Sequence, residues 1–151
     1  MRDEKSDGIA VQLDNFLPFQ LAVVANKVSQ TIAKIFEEEF ALHIPEWRIL
    51  ATLLYHSPVS SQVLVQRTAM DPARVSRAQT RLADLGLIDV QQDPDDKRRV
   101  LITLTQRGRK IISETLPRAI EAEQEIFGSL SNSERASLEG ALDKLFKVLS
   151  D

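Results

Sequence analysis

"MDPARVSRAQTRLADLGLIDVQQDPDDKRRVLITLTQRG" (residues 70–108) changes its periodicity halfway, and that change decides the fold. From Asp71 to Gly86, the apolar residues Val75, Ala78 and Leu82 fall on one side of a helix. Asp71 suits its cap, Pro72 its first position, and Gly86 its end. Beyond Gly86 the period shortens to two. "LIDVQ" (87–91) and "VLITLT" (100–105) read as strands, with Val100, Ile102 and Leu104 alternating. Between them, "DPDDKRR" (93–99) packs three carboxylates and three cations into one turn. A solvated hairpin needs far less charge than that.

Outward from this stretch the chain reads as helices. Phe19 to His43 contains neither Pro nor Gly, and Val24, Val28, Ile32, Ile35, Phe36 and Phe40 recur at helical spacing. Pro45 opens a second helix over 45–56, which "SPVS" (57–60) ends. Ser60 caps a short third helix reaching about Thr68. On the other side, Thr105 caps a fifth helix over 106–116, which Pro117 kinks or interrupts before it continues to about Phe127. Ser131 or Ser133 caps a last helix carrying Leu138, Leu142, Leu145 and Leu149. The pattern predicts a mainly α fold with a small β-hairpin: a winged helix-turn-helix lobe plus a helical region whose apolar stripes are buried in a dimer. The expected divisions are a flexible arm over 1–13 (in which Ile9, Val11 and Leu13 alternate), a dimerisation helix over 14–43, the winged lobe over 44–105, and C-terminal dimerisation helices over 106–151.

Composition excludes several classes. A chain of 151 residues, 43% hydrophobic and 27% charged, can bury a core and keep a polar surface. With no Cys, disulfides, thiolate metal sites and thiol switches are ruled out. Its longest apolar runs are too short to span a bilayer, and "MRDEKSDG" does not read as a signal peptide, so a cytoplasmic protein without a membrane partner is expected. His43 and His56 lie on separate segments, and no Gly-rich phosphate loop or HExxH spacing occurs. No enzyme, metal or cofactor is therefore expected. Glu37, Glu38, Glu39 and "EAEQE" (121–125) read as solvated helix faces.

The charge is unevenly placed. Net charge is −3, yet residues 67–110 set ten Lys/Arg against six Asp/Glu, leaving +4, while nine against sixteen leave −7 elsewhere. A basic middle between acidic ends suits one lobe meeting a polyanion. Within it, Arg74, Arg77 and Arg81 share a stripe of the fourth helix, flanked by Ala73 and Thr80. Three arginines on so narrow a face repel one another and call for an anion, which the major groove of DNA supplies. Asp84 offers the plainer alternative, a surface ion pair with Arg81. The charged loop then acquires a purpose, since a cation at a wing tip suits the narrow minor groove. Arg98 or Arg99 is that cation, Asp93 and Pro94 shape the turn, Asp95 faces solvent, and Asp96 buttresses the wing by holding the Arg98 guanidinium extended. The DNA-facing set is Ser60, Ala73, Arg74, Ser76, Arg77, Thr80, Arg81, Lys97, Arg98 and Arg99.

"MDPARVSRAQTRLADLGLI" (70–88) followed by "DPDDKRRVLITLTQRG" (93–108) resembles the MarR family of bacterial transcriptional regulators. The family's wing pattern is met by Asp96, Arg98, Leu104, Thr105 and Gly108, and its helix pattern by Val75, Ser76, Arg77, Arg81 and Leu82. The likeness covers roughly residues 14–149, and "LPFQLAVVANKVS" (17–29) with "PEWRIL" (45–50) looks like the branch controlling aromatic-acid breakdown. Arg74 departs from the Thr that many relatives carry. The resemblance implies a homodimer whose first, fifth and sixth helices interlock, with two lobes on a pseudo-palindromic operator in double-stranded DNA. It further implies a repressor released by a small phenolic or carboxylic effector bound where the dimerisation helices meet the lobe. At that junction, His43, Trp47, Arg48, Thr52 and Tyr55 form the expected ligand set, with Trp47 stacking on a ring and Arg48 pairing with a carboxylate. The plainer reading keeps Trp47 in the core with Leu50 and Leu54. Other function classes left open are a constitutive or architectural DNA binder and a helical protein-interaction module.

Overall fold

The computed structural model describes residues 15–150, so the expectations for residues 1–13 lie outside the described residues. Its order is α1 (Leu17–Phe40), α2 (Ile44–His56), β1 (Val59–Ser60), α3 (Ser61–Thr68), α4 (Pro72–Asp84), β2 (Ile88–Gln92), β3 (Val100–Leu104), α5 (Gln106–Phe127) and α6 (Asn132–Leu149). The helix caps are Ser60, Asp71, Thr105 and Ser131, each accepting a backbone N–H of the first turn. The fold is a winged helix-turn-helix with long helices outside it.

One core holds the lobe together. Leu50 and Leu53 of α2, Leu64 of α3, Val75 and Leu82 of α4, Ile102 of β3 and Ile112 of α5 are all buried in it. Val75, Ala78 and Leu82 thus face inward as their spacing requires, and the opposite side of α4 is left to solvent. Phe36 of α1 is fully buried and stacks on Trp47 at a centroid separation of 5.1 Å. The Trp47 indole N–H donates to Thr115 Oγ1 at 3.1 Å, so this one side chain joins α1, α2 and α5 with its polar atom satisfied.

Three details depart from the sequence reading. The sheet has three strands, ordered β1-β3-β2, because Val59 and Ser60 pair antiparallel with Ile102 and Leu101. A two-residue strand has no period to detect, and "SPVS" showed only its helix-ending character. α1 stops at Phe40, where Ala41 takes a left-handed conformation (φ 52), rather than running to His43. α5 runs unbroken through Pro117. Pro117 cannot donate to the Ser113 carbonyl, and Ser113 is itself an exposed residue.

The joint between wing and α5 explains the Leu-Thr-x-x-Gly run. Thr105 Oγ1 accepts the Gly108 N–H (3.0 Å) and donates to the Gly86 carbonyl (2.8 Å). Gly86 needs its freedom at φ 72. Gly108 needs its missing side chain, since a Cβ there would sit 2.0 Å from the Leu87 carbonyl oxygen.

The outer helices are differently placed. Arg118 of α5 pairs with Glu39 of α1 (3.2 Å), with Glu125 (3.3 Å) and with Glu121 (3.7 Å). The Glu39 hydrogen bond leads the causes that raise its pKa further. α6 is tethered by Arg135 to Glu123 of α5 and has no buried residue. Its Leu142, Leu145, Phe146 and Leu149 are exposed, as are Leu17, Phe19, Leu21 and Val24 of α1 and Ile120 of α5.

Gly108→Ala is expected to cost about 1–3 kcal/mol, the range for overpacking against atoms that cannot yield. Urea unfolding at fixed protein concentration checks it. An unchanged midpoint would show that α5 does not abut Leu87 so closely.

Candidate nucleic-acid interface

α4 presents its outer face by default, because Val75, Ala78 and Leu82 are buried beneath it. Ala73, Arg74, Ser76, Arg77 and Thr80 are exposed there. Asp71 Oδ1 accepts the Arg74 N–H at 2.9 Å, which secures the first turn, and Thr80 Oγ1 is spent on the Ser76 carbonyl at 3.0 Å. Two residues of the expected set are placed elsewhere. Ser60 is buried, 5% exposed, and its hydroxyl caps α3 through the Val63 N–H. A surface ligand cannot reach it. Arg81 is turned sideways: its Nε lies 3.1 Å from Glu46 Oε1, and Nη2 donates to the Ala41 carbonyl at 3.3 Å. Asp84, the partner that the sequence suggested, has no ion pair with Arg81 among the described residues.

The wing is built on backbone hydrogen bonds to its own carboxylates. Asp93 Oδ1 accepts the Asp95 N–H (2.9 Å), and Asp96 Oδ1 accepts the Arg98 N–H (3.0 Å). The Arg99 carbonyl takes the Asp93 N–H (2.9 Å), and Gln92 Nε2 donates to the Lys97 carbonyl (2.8 Å). Asp96 braces the turn through the Arg98 backbone N–H, whereas the sequence reading has it hold the Arg98 guanidinium. Asx-type bonds of this kind fold a loop that has few apolar contacts. With the Asp93 and Asp96 carboxylates so occupied, Lys97, Arg98 and Arg99 stand exposed, and no acidic side chain is paired with any of them among the described residues.

A cavity of about 650 Å³ lies where α1, the start of α2 and α4 meet. His43 and Arg48 line it, as do Arg74, Arg77 and Arg81 of α4. On the α1 side it meets Asn26, Ser29, Gln30 and Glu37. Of the expected ligand set, the structure brings only His43 and Arg48 here. Trp47 is half-buried, packed against the core and stacked on Phe36, and does not line the cavity. Thr52 donates to the Arg48 carbonyl at 2.8 Å and does not line the cavity, and Tyr55 is 72% exposed, away from it. Helical spacing did group Arg48, Thr52 and Tyr55, but α1 covers only the first turn of that face. The α1 residues were missed. Their signal was an uncharged polar stripe at 26, 29 and 30 in a helix read only for its apolar side. Among the described residues, no cluster of metal-ligating side chains occurs and no helix is long and apolar enough to cross a membrane.

Comparison with known proteins agrees with this geometry. The MarR family model matches residues 42–99, from the start of α2 to the wing. The chain is 28% identical to the HTH-type transcriptional repressor NicR of Pseudomonas putida over 129 residues, covering 83% of this chain and 82% of that protein. It superposes on the solved structure of Bordetella bronchiseptica BpsR, described for regulation of its DNA binding by 6-hydroxynicotinic acid, with a TM-score of 0.82 at 28% identity. That match covers 87% of this chain and 94% of BpsR. A probable transcriptional regulator from Pseudomonas aeruginosa is 31% identical with a TM-score of 0.75, over 85% of this chain and 98% of its own. From the lobe, the wing and these likenesses together, the chain belongs to the MarR family of transcriptional regulators.

Proposed function

We propose that two copies of this chain form a repressor that grips a pseudo-palindromic operator with α4 and the wing of each protomer, and releases it when a small aromatic carboxylate enters the cavity beside α4. The observation carrying this reading is that Arg74 and Arg77 are exposed on α4 and also line the cavity with Arg48 and His43. An anion in the cavity and the phosphates or bases of DNA would therefore draw on the same cations. Binding of one lowers the affinity for the other, which is a coupling between two sites. The relative BpsR, regulated by 6-hydroxynicotinic acid, supports the ligand class.

The wing supports the DNA side. Lys97, Arg98 and Arg99 project from a turn in which the Asp93 and Asp96 carboxylates are already bonded to backbone N–H groups, an arrangement suited to the negative potential of a minor groove. Arg77 and Ser76 on α4 are the residues assigned to base edges, with Ala73 permitting close approach. Homodimerisation is supported by the exposed apolar faces of α1, α5 and α6, which a second copy would cover.

Two outcomes are expected with a duplex taken from upstream of the chain's own gene. Arg98→Ala weakens binding by about 1–3 kcal/mol and leaves the sedimentation of the protein unchanged; an unaltered affinity would remove the wing from the interface. Titrating 6-hydroxynicotinic acid into the complex lowers operator affinity by roughly 5–150-fold, and Arg48→Ala abolishes that response with little effect on DNA binding alone. If neither this acid nor a panel of other aromatic carboxylates shifts affinity, the protein is a constitutive DNA binder.

A further inference from the structure

Arg81 belongs by spacing to the stripe of Arg74 and Arg77, yet its environment is of another kind. Its partner Glu46 is only 3% exposed, although it carries a carboxylate. One Glu46 oxygen accepts the His43 N–H at 2.9 Å, which closes the first turn of α2, and the other faces Arg81 Nε at 3.1 Å. The same guanidinium donates through Nη2 to the carbonyl of Ala41, the left-handed residue that ends α1. That carbonyl is one a helix end leaves without a partner, and a cation there is favoured. One side chain of α4 thus touches the cap that follows α1 and the first turn of α2 together.

The energetic asymmetry is clear. If Arg81 swung outward to a phosphate, it would leave a buried carboxylate without its cation, a costly state. The half-exposed Arg81 and the buried Glu46 are therefore better satisfied as they stand. Arg77, one turn earlier, is under no such constraint, since no acidic side chain pairs with it among the described residues.

We propose that Arg81 is a positioning residue: the Glu46–Arg81–Ala41 clamp fixes the orientation of α4 against the corner between α1 and α2, so that Arg77 and the wing meet DNA in register, and Arg81 itself makes no DNA contact. This rests on the DNA-binding reading above. It means that the element carrying the reading face is anchored, through its last turn, to α2 and to the end of α1, a helix expected to form the dimer.

The test is a cycle of Glu46→Gln, Arg81→Gln and the double variant in the full chain, read by fluorescence anisotropy on the upstream duplex. Several salt concentrations are used, well below each variant's melting temperature. The clamp predicts that each single variant weakens binding by roughly tenfold or more. It also predicts that the double variant is no weaker than the worse single, and that the slope of log affinity against log salt stays at the wild-type value. Arg81→Lys keeps the charge but loses the two-pronged reach, so it also weakens binding at unchanged slope; this variant decides the matter if Glu46→Gln does not fold. The idea is overturned if Arg81→Gln flattens the slope by about 1.8 for two protomers while Glu46→Gln leaves affinity intact, because Arg81 is then a phosphate contact. It is equally overturned if the variants melt earlier but bind as tightly as wild type, or if Arg81→Lys does. Failure of the wild type to bind any duplex would instead strike the DNA-binding reading, and this inference with it.

Discussion

Phe36 lies against Trp47, and the Trp47 indole reaches Thr115, so α1, α2 and α5 meet at one buried point. A few residues away, Glu46 and Arg81 bring α4 to the same corner. The apolar contact fixes where the outer helices stand relative to the lobe, and Arg81 ties α4 to α2 through Glu46 and to the end of α1 through the Ala41 carbonyl. Everything that α4 can present to a partner depends on this corner, because the rest of its buried face consists of only Val75, Ala78 and Leu82. Apolar packing of this kind resists sliding, since interiors are packed close to crystal density.

The wing solves a different problem. It has almost no apolar side chains to hold it, and it must project charge. Asp93 and Asp96 resolve this by bonding backbone N–H groups of the turn, so the acidic residues stabilise the loop instead of neutralising its cations. The overall charge of −3 therefore says little about the partner, whereas the +4 of residues 67–110 says much. The cavity extends the same economy to α4, where Arg74 and Arg77 face both open surface and a polar recess.

Much of this was legible in the sequence. The switch in period after Gly86 marks α4 and the hairpin, and Asp71, Pro72 and Thr105 mark helix starts because caps act through neighbours three residues away; for α6 the sequence offers Ser131 or Ser133, and the structure uses Ser131. What escaped notice depended on distant partners. β1 is two residues long and exists only because β3 offers an edge. The role of Arg81 depends on Glu46 and Ala41, thirty-five and forty residues earlier, and nothing in its helical spacing separates it from Arg77. Ser60 reads from sequence both as a cap and as a DNA-facing residue, and its burial fits the cap. The cavity was half legible: His43 and Arg48 were named, whereas Asn26, Ser29 and Gln30 become its wall only once α1 folds across α2.

The central claim is that α4 and the wing bind DNA in a sequence-dependent way as a pair of protomers. Its most direct test is fluorescence anisotropy of the purified protein on the duplex upstream of its own gene and on a scrambled duplex of equal length, at salt concentrations from about 50 to 200 mM. The three wing cations, Lys97, Arg98 and Arg99, on each of two protomers would make about six phosphate contacts. The account therefore predicts a loss of roughly 10³-fold in affinity across that range, and binding to the upstream duplex at least about 10³-fold tighter than to the scrambled one. Equal, weak binding to both duplexes, or none at the lowest salt, would contradict it.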